Sequence, residues 1–171
     1  METWDAIRAR RNVRHYDGRP LPQEHLDRVL EAGWRSPSSM NMQPWEFILV
    51  TDRNRLQELS KVWRSGGHIA SSAATVAVLA PQANDPREEA IHEFDLGQAA
   101  MSMMIAAADL GIGSCHSAVG DQDLARKVLG HPADRRCALL ISLGYPADRP
   151  LKPIRSPKRR PIDQVIRRGH W

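Results

Sequence analysis

The sequence has few cysteines and no long apolar run. Cys115 and Cys137 are its only two cysteines, which is too few for a disulfide framework, and they show no metal-ligand spacing. No stretch approaches the roughly 18 consecutive apolar residues of a membrane span. The first residues, Met-Glu-Thr-Trp-Asp, lack the basic and apolar regions of a secretory signal. We therefore expect a reducing, cytoplasmic location with no membrane partner and no metal.

Motifs for chemistry carried by side chains are also absent. There is no Walker A pattern, and the seven histidines are scattered. Gly111-x-Gly113-x-x-His116 lacks the third glycine of a dinucleotide fingerprint and follows a helical pattern. Cys115 and His116 are neighbours on an extended segment and point to opposite faces, which disfavours a Cys-His nucleophile. Glu93 and Asp95 are interpreted as surface charges or capping groups, not as a catalytic pair.

Acidic residues are scarce at the C-terminal end. Residues 151–171 carry seven lysines and arginines against one aspartate, a local charge of +6, so the other 150 residues sum to −2. Such a basic arm could bind nucleic acid by counterion release, could be a solvated end, or could grip one phosphate group. Because Trp171 is its only aromatic residue, it lacks the stacking platforms of single-strand binders, and we expect no nucleic-acid partner.

Length and patterning predict one domain, since 171 residues with 42% apolar content can bury a sizeable core. Capping and periodicity predict five helices, four extended segments and an extended arm that contains a final short helix. Each predicted helix has its own starting residue. In chain order these are the cap Thr3, the first-turn Pro22, the cap Asp52, the first-turn Pro86, and the cap Asp121 or Asp123. The extended segments are residues 45–50, 75–80, 113–116 and 137–143, the last of them central in the sheet. The arm is 151–171, with its helix at 162–168.

The longest helical pattern, Pro86 to about Leu110, is apolar on all sides near its end. From Ala99 to Ala108 its only polar residue is Ser102, and a helix apolar all round must be buried all round. A small domain has little interior for this, so we expect part of the helix to contact a second copy of the chain in a homodimer. The extended arm also has to dock, and the dimer partner is the expected surface.

Two segments suggest a ligand. Arg35 to Phe47 holds short polar side chains on a backbone stiffened at Pro37 and Pro44, which suits a loop around a polar, planar molecule. A plain helix-to-strand connection is the alternative. Arg8 to Arg14 contains four arginines with only Asp5 and Asp17 close in sequence, which indicates either a charged helix end or an anion site.

Taken together and in this order, the motifs resemble those of the flavin-dependent nitroreductase family. They are Arg10-Arg11-Asn12-Val13-Arg14, then Pro37 to Phe47 (Pro-Ser-Ser-x-Asn-x-Gln-Pro-Trp-x-Phe), Ala108 to Cys115, Leu143 to Ala147, and Lys158 to Val165. Each is weak alone, and together they cover nearly the whole chain. The connection Pro81 to Arg87 is too short for the inserted helices of longer relatives, so the chain resembles a minimal member of the family.

The resemblance implies a single α+β domain over 1–171, in which helices enclose a mixed, largely antiparallel sheet. It also implies an obligate homodimer with one FMN in each of two interface sites. Basic groups would hold the phosphate and the pyrimidine edge, polar loop residues would line the ribityl chain and ring edge, and a strand would offer backbone groups to the reactive face. The basic groups are Arg10, Arg11, Arg14, Lys158 and Arg160, and Asn12 beside them, where the family usually has serine, could hydrogen-bond. The loop residues are Pro37, Ser38, Ser39, Asn41 and Gln43. The strand residues are His116, Ser117 and Ala118.

In this scheme the flavin carries the chemistry and no acid-base residue is named. NADH or NADPH would reduce it, and a nitroaromatic, quinone or similar small acceptor would then reoxidise it in a ping-pong sequence. A cation at Arg14 would raise the cofactor's potential. The alternatives of the same fold are a flavin-binding module without turnover and a flavin-dependent dehydrogenase or dehalogenase.

Overall fold

A four-stranded antiparallel sheet lies between two layers of helices. The structure is a computed structural model that describes all 171 residues. The helices are α1 (Thr3–Ala9), α2 (Gln23–Trp34), α3 (Arg53–Leu59), α4 (Pro86–Asp109) and α5 (Gln122–Leu129). The strands are β1 (Glu46–Val50), β2 (Ala74–Pro81), β3 (Gly113–Ala118) and β4 (Arg135–Gly144), in the order β1-β2-β4-β3. Short 3-10 turns occupy Ser39–Asn41, Gly66–Ser71 and Ile162–Gln164.

Strand β2 explains the two layers, because its side chains alternate between two cores. Val76 and Val78 pack with α2 and α4, while Ala77 and Leu79 pack with α3 and α5. A strand buried on both faces reads as a continuous apolar run, and β2 and β4 are such strands. The expected central position of β4 is confirmed by its pairing with both β2 and β3.

Most predicted helix ends are confirmed by their caps. Asp52 and Asp121 each accept a backbone N–H of the helix that follows. Asp85 does the same before Pro86, and Gly130 ends α5 in the left-handed conformation. The prediction for Thr3 is wrong, because Glu2 occupies the N-cap position without a side-chain hydrogen bond.

Two predicted helices are shorter than expected. The spacing of Leu56, Leu59, Val62 and Trp63 predicts a helix that stops at Ser65-Gly66-Gly67, but α3 ends at Leu59. Val62 and Trp63 belong to irregular turns that still pack on the core or beside it. In the arm only the 3-10 turn Ile162–Gln164 forms, because the surrounding prolines remove backbone donors. The arm's first part packs on its own chain, where Leu151 joins a cluster with Ala9 and Val13.

The long helix α4 is buried on one side only within the chain. Leu96 and Met103 lie in the core, whereas the side chains of Phe94 and Met101 are exposed by 66% and 47%. The expectation that a second copy covers this apolar side is therefore compatible with the fold and stays a prediction. No helix of the chain is both long enough and apolar enough to cross a bilayer.

Candidate functional site

The segment after α1 lies against the sheet and turns its basic residues outward. The Val13 amide donates to the Ser114 carbonyl at 2.9 Å, and Asn12 forms a parallel bridge with Ser114. A Cβ at Gly113 would lie 2.7 Å from the Val13 side chain, so only glycine permits this approach. Because Val13 is buried, the alternation of an extended chain leaves Arg14 exposed.

Four arginines surround a cavity of about 360 Å³ beside this segment. They are Arg8, Arg10, Arg155 and Arg159, and Trp4 and Ile7 complete the apolar side. The base of the arm is held there because the Ile154 amide donates to the Arg8 carbonyl at 3.0 Å. The single carboxylate partner of these four is Asp5, 3.6 Å from Arg8. Such an excess of guanidinium groups suits a phosphate.

Arg155 and Arg159 were missed by the sequence reasoning, which named Lys158 and Arg160 instead. Both predicted residues are exposed and line a larger cavity of about 880 Å³ that lies within the arm, between residues 157 and 166. This larger cavity is bordered by arm residues alone, so the smaller one, which joins the arm to Arg10, is the better candidate for an anion. The roles of Lys158 and Arg160 stay predictions.

Arg11 and Asn12 have partners inside the chain. Arg11 donates to the Asp148 carboxylate at 2.7 Å and to the Arg149 carbonyl at 2.9 Å. The hydrogen bond from Arg11 lowers the pKa of Asp148 to about 2. Asn12 accepts a hydrogen bond from Arg10 at 3.1 Å. Arg11 thus joins the start of the chain to the segment after β4, while Asn12 orients Arg10.

Strand β3 presents alternate residues to opposite sides. His116 and Ala118 are exposed, whereas Cys115 and Ser117 are buried. The expected opposition of Cys115 and His116 is confirmed, and burial raises the pKa of the Cys115 thiol. Of the three predicted strand residues, His116 and Ala118 therefore face the side open to a ligand, and Ser117 can contribute only its backbone.

His68 is a further residue of this end that the sequence reasoning missed. Burial lowers its pKa, and the neighbouring Arg14 and His116 lower it further. His68 Nδ1 lies 2.8 Å from Ser142 Oγ, and Ser142 Oγ lies 2.7 Å from the Tyr16 hydroxyl. This buried chain of polar groups lies beneath the surface formed by Arg14 and His116. We call Arg10, Arg14 and His116 together the basic half-site.

The predicted polar loop forms a second surface, the loop half-site, Ser38–Gln43. Its side chains are exposed or half-buried, while Pro44 and Trp45 after it are buried. Met40, Asn41 and Gln43 have φ near +50°, a conformation that non-glycine residues other than asparagine and aspartate rarely adopt. The Gln43 amide donates to Ser38 Oγ at 2.9 Å. The loop therefore turns tightly and presents its polar groups outward.

The two half-sites lie at opposite ends of the chain's framework. Ser39 contacts Asp95 in the middle of α4, whereas Ala108 at its end packs in one cluster with Ala9 and Val13. Thirteen helical steps of 1.5 Å separate these contacts by about 20 Å. The sheet agrees, because β1 enters opposite Leu79 of β2 and Asn12 bridges Ser114 of β3 at the other end. The two half-sites are thus held at well-separated places on one chain.

No group of three or more metal-ligating side chains comes together. The fold is thus an antiparallel α+β sandwich whose two polar surfaces are held at separate places on one central helix.

Comparisons with known proteins identify the family to which the chain belongs. A family model described as the Nitroreductase family matches residues 7–71 and 63–145. A protein of Archaeoglobus fulgidus, provisionally named NADH dehydrogenase/NAD(P)H nitroreductase, is 32% identical over 146 residues, 83% of this chain and 84% of the relative. The FMN reductase [NAD(P)H] of Bacillus subtilis is 28% identical over 86% of this chain and 67% of its own.

A solved structure from Parabacteroides distasonis, with the same provisional name as the archaeal relative, superposes with a TM-score of 0.84. It is 27% identical and the match covers 100% of this chain and 99% of that one. The chain belongs to the nitroreductase family. The resemblance drawn from the motifs, the α+β fold class and the expected enzyme class, an oxidoreductase of nitroreductase type, are confirmed.

Proposed function

We propose that the protein is an FMN-dependent oxidoreductase that uses NADH or NADPH to reduce a small acceptor such as a nitroaromatic or a quinone. Each of two identical sites would combine the basic half-site of one chain with the loop half-site of its partner. The observation that carries the proposal is the split site: two complementary polar surfaces about 20 Å apart on one rigid helix. The FMN reductase from Bacillus subtilis gives the proposal independent support.

The residues present fit FMN. The arginine-lined cavity suits its phosphate, since Arg10, Arg155 and Arg159 have no carboxylate partner. Exposed Arg14 suits the electron-rich pyrimidine edge, and His116 and Ala118 offer an open strand surface for the ring. The amides of Asn41 and Gln43 can donate to carbonyl groups at the ring edge. Arg11, Ser38 and Ser39 already form hydrogen bonds within the chain. They would therefore hold neighbouring residues in place for FMN.

A two-fold axis would join the half-sites. If α4 of one chain packs antiparallel to α4 of the partner, the basic end of each chain meets the loop end of the other. The exposed apolar side chains of Phe94 and Met101 lie along that helix, and Met40 in the loop is 84% exposed. Burying these residues between two copies supplies the driving force for association. The homodimer and the docking of the arm on the partner are parts of this proposal.

Bound FMN would supply the two-electron chemistry, with nicotinamide and acceptor using one slot in turn. The chain's residues bind and orient the reactants, place positive charge at Arg14, and exclude water. No buried carboxylate pair or paired histidine is positioned for acid-base catalysis. Only residues 82–85 separate β2 from α4, so no inserted helix of this chain covers the slot.

The absorption spectrum of the purified protein tests the proposal. FMN binding predicts a yellow protein with a flavin band that bleaches when NADH or NADPH is added without oxygen and returns with a nitroaromatic or quinone. The apo-protein without added FMN is the control for reduction of the acceptor by NADH or NADPH alone. A colourless protein that takes up no added FMN contradicts the proposal.

The open slot favours a second candidate of another class, a flavin-binding module without turnover. Such a protein would bind FMN and remain oxidised with either nicotinamide. A flavin-dependent dehydrogenase would instead bleach with its own organic substrate, and a reductive dehalogenase, once reduced, would be reoxidised by its halogenated substrate. The anaerobic spectrum therefore separates all three.

A further inference from the structure

Asp95 is a buried carboxyl group that no cation neutralises. It is fully buried on α4 and takes part in no ion pair. It accepts the Ser39 amide at 3.0 and 2.9 Å, the Ser39 hydroxyl at 3.2 Å, and the Gln98 side-chain amide at 3.3 Å. Burying such a group without a cation is costly. Three of its four contacts go to one residue of the loop half-site.

The loop that Asp95 contacts is strained. Met40 and Gln43 are held at φ 51° and 50°, a left-handed conformation that is unfavourable for a residue other than glycine. A strained backbone persists only when surrounding contacts determine it. The bonds from Gln43 and Asn41 to Ser38 lie inside the loop, so they cannot attach it to the framework.

Two contacts attach the loop to α4. Ser36 Oγ lies 2.9 Å from Ser102 Oγ at the loop's beginning, and Asp95 holds Ser39 in its middle. Asp95 and Ser102 are seven residues apart and thus share a helix face. Of the two, the contact from Asp95 precedes the strained residues directly. The side chains of Met40, Asn41 and Gln43 are exposed.

We propose that Asp95 is a positioning residue that fixes the conformation of Ser38–Gln43 so that this loop can bind FMN held by the partner chain. The inference rests on the proposed function. The Asp95 carboxyl group, held by the rigid central helix, would fix the direction of the loop amides, and its burial would cost folding free energy.

The test compares Asp95→Ala and Asp95→Asn with the full-length unaltered protein. Asparagine keeps one acceptor oxygen for Ser39, and alanine keeps none. Glu89→Gln, which removes an exposed carboxylate from the same helix, is the matched control. Three quantities are measured: hydrogen exchange of the Ser39 amide by NMR, the dissociation constant of FMN by quenching of flavin fluorescence, and the free energy of urea unfolding of the apo-protein.

We expect Asp95→Ala to expose the Ser39 amide to exchange and to weaken FMN binding about ten- to hundred-fold, with Asp95→Asn intermediate and Glu89→Gln unchanged. For Asp95→Asn, FMN affinity should fall while unfolding stability stays at the control's value. A purely structural role would lower both together, and this result would overturn the inference.

Native FMN affinity with a protected Ser39 amide in Asp95→Ala would also overturn it. If Asp95→Ala does not fold, the same comparison with Asp95→Asn decides. If the unaltered protein binds no FMN, the proposed function fails, and the exchange of the Ser39 amide still reports whether Asp95 holds the loop.

Discussion

The hydroxyl of Tyr16 and Oγ of Ser142 lie 2.7 Å apart in the interior, 126 residues apart in sequence. Tyr16 also donates to the Val13 carbonyl at 2.7 Å, and a Cβ at Gly144 would lie 2.7 Å from its ring. This contact fastens the segment that carries Arg14 to the central strand. It therefore belongs to the support of the basic half-site and does not itself face a ligand.

Removing that hydroxyl should destabilise the fold. In Tyr16→Phe, Ser142 and the Val13 carbonyl lose a buried partner, which costs about 1–3 kcal/mol of unfolding free energy. Urea unfolding of the apo-protein measures the loss. The half-buried residue Tyr145, changed to phenylalanine in Tyr145→Phe, is the control, and we expect this variant to unfold like the unaltered protein. An unchanged midpoint for Tyr16→Phe would show that the buried contact contributes nothing.

His68 predicts a pH dependence of stability. Burial, with Arg14 and His116 nearby, lowers its pKa in the folded state, so the unfolded chain binds a proton at this residue more readily. Stability should therefore be lost as pH falls below about 6.5, the ordinary value, toward the lowered folded value. Urea midpoints at pH 7.5 and 5.5 measure the slope.

His68→Gln should reduce this slope, whereas His170→Gln, in the exposed arm, should leave it unchanged. An equal slope in His68→Gln and the unaltered protein would assign the pH dependence to other groups.

The arginine cavity predicts the effect of charge reversal. Arg10→Glu removes a charge-assisted hydrogen bond of about 1.5–3 kcal/mol and adds repulsion. The dissociation constant of FMN should therefore rise about ten- to hundred-fold. Arg87→Glu, at the exposed start of α4, controls for net charge. Fluorescence titration of the apo-protein measures both, and full FMN occupancy in purified Arg10→Glu would contradict the placement of the phosphate.

The arm offers a sharper comparison. The motif predicts Lys158 as a phosphate ligand, while the cavity brings Arg159 beside Arg10. Lys158→Glu and Arg159→Glu should both weaken FMN binding if the arm grips the phosphate, and the larger loss identifies the residue in contact. Native affinity in both variants would remove the arm from the site.

Local chemistry explains what the sequence could predict. Asp52 and Gly130 act on their own helices, and the continuous apolar run of β2 is visible along a few residues, so these features were predictable. The pairing of Arg11 with Asp148 joins residues 137 positions apart, and no local signal marks it. Asp95 looks like its neighbour Glu93, yet Glu93 is exposed beside Arg136 and Asp95 is buried under the loop.

The site was predictable in its parts but not in its arrangement. The motifs identify Arg10, Arg14 and the polar loop, and the resemblance supplies a dimer. The structure adds that α4 holds the loop surface at its middle and the basic surface at its end, which depends on the packing of α1 and of the loop against one helix. His68 gave no sequence signal, because its contact with Ser142 joins residues 74 positions apart and exists only in the folded chain.

The most direct test of the account is complementation between two damaged chains. One variant carries Arg10→Glu and Arg14→Glu, and the other carries Asn41→Glu and Gln43→Glu; co-expression with two affinity tags isolates the mixed dimer. Because each site takes one half from each chain, the mixed dimer should hold one FMN per two chains, while each variant's own dimer holds none. A mixed dimer without FMN, under conditions where the unaltered protein binds two, would contradict a site shared between chains.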